Sequence, residues 1–146
     1  MKKFTFPLDR VLDFRRGQAR IEETKLERLN AELRAIETRL RDTEAAREES
    51  GRALIAGGSA TGTELAALDS FRKASTAECA KLGQSAAAAR HHIDAQLKTV
   101  IQKRRDVKLL EHLRSRKLEA WTTELGHEID REASELYLSR FQQPVE

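Results

Sequence analysis

Apolar residues recur along this chain in two stripes that face each other when the chain is folded at its glycine-rich middle. The first runs through Leu26, Leu29, Leu33, Ile36 and Leu40, with Leu8, Leu12, Ala19 and Leu54 in the same phase. The second runs through Leu65, Leu68, Cys79, Leu82, Ala86, Ala89, Ile93, Val100, Val107 and Leu110. Steps of three and four residues are the period of a left-handed coiled coil. A fold near Ser59 sets Leu26 opposite Ile93, Leu29 opposite Ala89, Leu33 opposite Ala86 and Ile36 opposite Leu82. It also sets Leu40 opposite Cys79, Leu12 opposite Val107 and Leu54 opposite Leu65. Large residues on one side meet small ones on the other, as close helix packing requires. The pattern predicts an all-α, two-helix antiparallel coiled-coil hairpin, a single coiled-coil domain over residues 1–146.

The punctuation agrees with that reading. Pro7 suits a first helical turn, where its missing N–H removes no bond. Helix 1 is expected over about 7–55, with Gly17 and Gly51 each weakening it by roughly 1 kcal/mol without ending it. The linker 56–62 stops it, with Gly57 placed for a left-handed turn. Thr61 and Glu64 form a capping-box pattern, and helix 2 is expected over about 63–141, ahead of Pro144.

The helices are therefore unequal, roughly 75 and 115 Å at the helical rise. Helix 1 is expected to cover helix 2 only to about His112. Beyond it, Arg114 and Lys117 take the old seam positions and a new stripe begins: Leu118, Trp121, Leu125, Ile129 and Leu136. Large apolar side chains without an intrachain cover call for a partner. Phe4 and Phe6 can fold over the first of these residues but are too few to cover the whole stripe, ~45 Å of helix.

Composition narrows the class. Of 146 residues 35% are charged and 5% aromatic, with a net charge of +3. Sustained apolar stripes exclude disorder, and so few aromatics exclude a thick globular core. Basic residues gather in two segments that the hairpin brings together. One holds Lys2, Lys3, Arg10, Arg15, Arg16 and Arg20 against Asp9 and Asp13; the other spans 98–117, with Arg104, Arg105, Arg114 and Arg116 among eight basic residues against Asp106 and Glu111. The result is a basic collar, suited to an acidic protein surface, nucleic acid or anionic lipid. A solvated coiled-coil face is the plainer reading. One cysteine excludes an intrachain disulfide and favours a reducing compartment. Met-Lys-Lys is not followed by an apolar run, so no secretory signal is expected, and no window approaches the ~18 apolar residues of a membrane span.

Catalytic chemistry finds no support. The linker Gly57–Thr63 lacks the lysine of a phosphate-binding loop and follows a helix rather than a strand. His91 and His92 are adjacent and so point apart, and His112 and His127 have no ligand at zinc spacing. Cys79 lies in the apolar phase, and paired acids such as Glu22-Glu23 belong to charged faces. A two-helix coil offers no cleft in which to shield a reaction. No enzyme activity, cofactor or metal is expected.

The opening Phe4-x-Phe6-x-Leu8-x-x-Val11-Leu12-x-x-x-Arg16, running into a Glu/Leu/Arg-rich helix, resembles the bacterial flagellar export protein FliJ family. So do the run Leu109–Leu118, the acidic segment Glu128-x-Asp130-x-Glu132-Ala133-x-Glu135, the length and the hairpin. The resemblance implies a cytoplasmic part of the flagellar type III export apparatus, peripheral at the inner face of the cell membrane. It implies an architecture similar to the central stalk of rotary ATPases. It also implies partners: the hexameric export ATPase, the cytoplasmic domain of the export gate, and export chaperones.

Two surfaces follow as expectations. A ring pore, supplied by the resemblance, would receive the stripe Leu118, Trp121, Leu125, Ile129 and Leu136 with the collar Arg15, Arg16, Arg104, Arg105, Arg114 and Arg116. The export gate would meet Phe71, which otherwise packs against helix 1 or the stem of Arg47. The alternatives are a generic or self-associating coiled-coil adaptor, and a basic coil binding nucleic acid or anionic membrane. The collar segment 98–117 lacks aromatic residues for base stacking, so nucleic acid is not expected.

Overall fold

The computed structural model describes residues 3–141. Lys2 and Pro144, which enter the reading above, lie outside them. Two helices packed against each other account for the fold: α1 over Asp9–Ala56 and α2 over Gly62–Phe141.

Each boundary has a local cause. The Asp9 N–H donates to the Phe6 carbonyl at 3.1 Å, closing a turn that contains Pro7. The Leu12 N–H donates to Leu8 at 2.8 Å, so Leu8 caps α1 and Asp9 places its charge in the first turn, where the helix dipole favours it. At the other end the left-handed residue is Gly58, with φ 73°, and not Gly57. Its N–H donates to the Ile55 carbonyl at 3.2 Å. Helix α1 thus runs one residue further than a stop at Gly57 implies, and the glycine that must reverse the chain falls one place later. Helix α2 opens on a capping box. The Glu64 N–H donates to Thr61 Oγ1 at 3.2 Å, and the Thr61 N–H donates to Glu64 Oε2 at 2.8 Å.

The chain forms two compact units. In Arg20–Ile101, the interhelical bond partners on α2 fall in number as those on α1 rise, the mark of antiparallel helices. Gln96 donates to the Glu22 side chain, Arg90 pairs with Glu37 at 3.0 Å, Arg39 with Glu78 at 2.9 Å, and Arg47 reaches Thr76. Leu82, Ala86 and Val100 are buried between these helices. Leu26, Leu29, Leu33, Ile36 and Leu40 are half-buried, because a two-helix seam covers only one side of each leucine. Near the turn the seam opens: Leu54 is half-buried, but Leu65 is 52% exposed. Gly51 is buried there, and a side chain at its position would collide with the Arg72 guanidinium.

The second unit takes the described residues of Met1–Ala19 and Gln102–Glu146. Leu12 is 1% exposed and Phe6 4%, with Ala19 also buried. Pairs Asp9–Arg114 and Arg15–Asp106 flank the buried Leu12 along the two helices.

Candidate functional site

The face of α2 that meets α1 does not change phase after Leu110. It continues through Arg114, Leu118, Trp121 and Leu125, all half-buried. Arg114 lies on that face because its charge is answered there. Its Nε donates to Asp9 at 3.3 Å, and its guanidinium sits 5.8 Å from the centroid of the Phe4 ring. The Phe4 ring in turn lies 5.9 Å from that of Trp121, tilted by 55°. The segment before α1 therefore folds over the start of the stripe, anchored by the buried Phe6. The Phe4 ring lies over the first part of the stripe, as expected, and Leu118, Trp121 and Leu125 are half-buried rather than an open surface. The exposed part begins at Ile129, which is 45% exposed, and ends with Leu136, Tyr137, Leu138 and Phe141. The last three escaped the sequence reading because they depart from the stripe's phase.

The basic collar is also altered. Arg15 pairs with Asp106 at 3.8 Å, and Arg16 with Glu111 at 2.9 Å and Asp13 at 3.7 Å. Together with Arg114–Asp9, these pairs turn three of the six collar arginines inward on the chain, and Arg104 is engaged as well. Both acids of the 98–117 segment are consumed in the same pairs. Arg105 and Arg116 are exposed and make no ion pair among the described residues. With Leu109, 68% exposed, they form a basic outer face on α2.

Phe71 lies on the other unit, 43% exposed. It lines an open groove between the helices with Asp42, Thr43, Ala46, Ala74 and Ser75, and the Arg39–Glu78 pair stands at its edge. Thr43 and Ser75 face each other across this groove. Ser75 is buried, so two small polar residues where leucines would stand leave the hollow that exposes the ring.

His91 and His92 are exposed, with ring centroids 6.3 Å apart, and Cys79 is half-buried. Among the described residues no group of three His, Cys, Asp or Glu side chains could hold a metal, and no helix is long and apolar enough to cross a membrane.

A helical hairpin whose notable features are an exposed apolar end, a basic outer face and a shallow groove is a coiled-coil protein that works through its surface. Residues 3–143 match the family model of the flagellar FliJ protein, and the chain belongs to that family. It is thereby a component of the flagellar protein export apparatus, in a family of structural export proteins rather than enzymes. Neither the curated proteins nor the solved structures yield a match.

Proposed function

We propose that the protein is a stalk-like coiled coil that binds and stimulates the hexameric export ATPase, and that also contacts the cytoplasmic domain of the export gate and export chaperones. It acts in the cytoplasm, held at the inner face of the membrane through these partners. The observation that carries the reading is the end of α2, where large apolar residues from Ile129 to Phe141 have no cover among the described residues. Burying each is worth about 1.5–3 kcal/mol, enough together for a specific contact. Further back along α2, Arg105 and Arg116 offer their charges and would speed encounter with an acidic rim.

The test uses the full chain with Ile129, Leu136 and Tyr137 replaced by serine. Stimulation of the export ATPase is expected to fall at least about tenfold, since a loss of 1.4 kcal/mol already gives that factor. Helicity and the near-ultraviolet signal of Trp121 should persist, because the covered part of the stripe is untouched. Full stimulation by this variant would move the contact elsewhere. For the gate, Phe71→Ala should weaken binding of its cytoplasmic domain while leaving the melting temperature nearly unchanged. Unaltered binding removes Phe71 from that surface.

A further inference from the structure

The end of α2 differs from the rest of the helix in two respects. Leu136, Tyr137 and Leu138 are consecutive and each more than 60% exposed, as is Phe141. Successive helical positions point about 100° apart, so these side chains face several directions at once. The Tyr137 and Phe141 rings stand 4.9 Å apart on one side, with Leu136 and Leu138 away from them. A flat surface could cover one of these directions only. The second respect is charge. From Leu118 to Phe141 the helix carries Glu119, Glu124, Glu128, Asp130, Glu132 and Glu135 against Arg131 and Arg140. None of the six acids makes an ion pair among the described residues. Glu132 has the sharpest requirement, because it lies on the apolar stripe between Ile129 and Leu136. A carboxylate buried with that stripe must meet a cation.

We propose that the segment Glu124–Phe141 is received by an enclosing, apolar-lined surface that bears lysine or arginine, on a partner other than this chain. A second copy meets the same stripe badly. An antiparallel pair that sets the exposed Ile129 on Leu136 brings Asp130 against Glu135, and a parallel pair sets every acid beside its own copy. Like charges across a helical seam oppose pairing. The acids therefore keep the stripe from self-association while attracting a basic receptor. Only the partner's identity as the export ATPase rests on the function proposed above; the charge of the receptor does not.

The experiment uses the full chain and a variant with Glu124, Glu128, Glu132 and Glu135 changed to glutamine and Asp130 to asparagine. Both are titrated with two synthetic amphipathic helices of leucine heptads, one with lysine and one with glutamate on the flanks. Wild type is expected to bind the lysine peptide at least about tenfold more tightly, and the variant to lose most of that preference. Glu132→Lys alone should weaken lysine-peptide binding further than Glu119→Lys, which lies off the stripe. Sedimentation at low salt should show monomeric wild type and a self-associating variant. Equal affinity for the two peptides, or a variant that keeps the preference, overturns the proposal. So does a wild-type dimer that forms at low salt and dissolves as salt is added, because that places the acids on the basic outer face of a second copy. Titration of the ATPase hexamer with wild type is a separate arm. Absence of binding there defeats the ATPase reading and leaves the peptide result to decide the receptor's charge.

Discussion

Phe6 is the buried residue of the segment that covers the start of the stripe, and its removal tests that cover directly. It is 4% exposed, although it precedes α1 and sits on a segment with little regular backbone bonding. Among the described residues, only the turn from Asp9 to Phe6 and the cap at Leu8 hold that segment by the backbone. The remaining hold is the Phe4 ring, lodged between Arg114 and Trp121. A tilted aromatic pair contributes about 0.5–1.5 kcal/mol and an exposed guanidinium over a ring about 0.5–1 kcal/mol. Truncating a buried phenylalanine to alanine costs about 3–5 kcal/mol. Each ordered residue also costs about 1–2 kcal/mol of backbone entropy. Phe6→Ala thus removes more than the Phe4 contacts supply, and residues 3–8 should undock while both helices stay formed.

Trp121 is the sole tryptophan, so the change is readable without a label. Phe6→Ala should shift its emission to the red and raise its quenching by acrylamide, with helical ellipticity almost unchanged. Phe14→Ala is the control. Phe14 is 63% exposed on α1, and its loss should alter stability by no more than about 0.5 kcal/mol and leave the emission alone. Superimposable emission spectra for Phe6→Ala and wild type would refute the cover, and with it the restriction of the open surface to residues beyond Leu125.

Three further substitutions probe the hairpin. Thr61→Ala removes half of the capping box and should cost about 1 kcal/mol in denaturant unfolding, whereas Ser59→Ala, which is exposed, should cost nothing measurable. Gly58→Ala forces a side chain into a left-handed conformation and should cost about 1–2 kcal/mol, more than Gly57→Ala; equal costs would contradict the assigned turn. A double-mutant cycle on Arg16 and Glu111, paired at 2.9 Å but each more than 40% exposed, should return about 0.2–1 kcal/mol at low salt and less at high salt. A coupling above that range would make the pair a structural anchor rather than a charge turned inward.

The hairpin was legible because helix packing writes its period into the sequence. Leu82, Ala86 and Val100 are buried where the stripe puts them, and Thr61 and Glu64 cap where their spacing predicts. What was not legible depended on side chains reaching across. Asp106 and Glu111 read as minor acids in a basic run, yet they take up Arg15 and Arg16. Nothing in a periodic pattern tells whether a long guanidinium points to solvent or to the neighbouring helix. The same ambiguity made Arg114 look like an interruption of the seam. It occupies the seam because Asp9 and Phe4 sit opposite, and neither lies in regular phase with it. The N-terminal cover was legible only in part, as a fold of Phe4 and Phe6 over the start of the stripe without its partners. Phe4 and Phe6 precede the helix, so no periodicity states where they fold.

Turning the collar arginines inward changes what the end of α2 can select. An open ring of six arginines would act at a distance on any anion, with nucleic acid and anionic lipid among them. Pairing Arg15, Arg16 and Arg114 with acids leaves the outward charge to a strip on α2 that includes Arg105 and Arg116. The following four turns then reverse sign, through Glu119, Glu124, Glu128, Asp130 and Glu132. A polyanion drawn to the first strip would be repelled by the second, since the two are contiguous on one helix and closer than screening can separate at low salt. Only a surface that itself changes sign, acidic beside the strip and basic around the tip, satisfies both. A folded protein receptor can present such a surface and a uniform polyanion cannot, which is why the charge order along α2 argues for a protein partner more strongly than the net charge does.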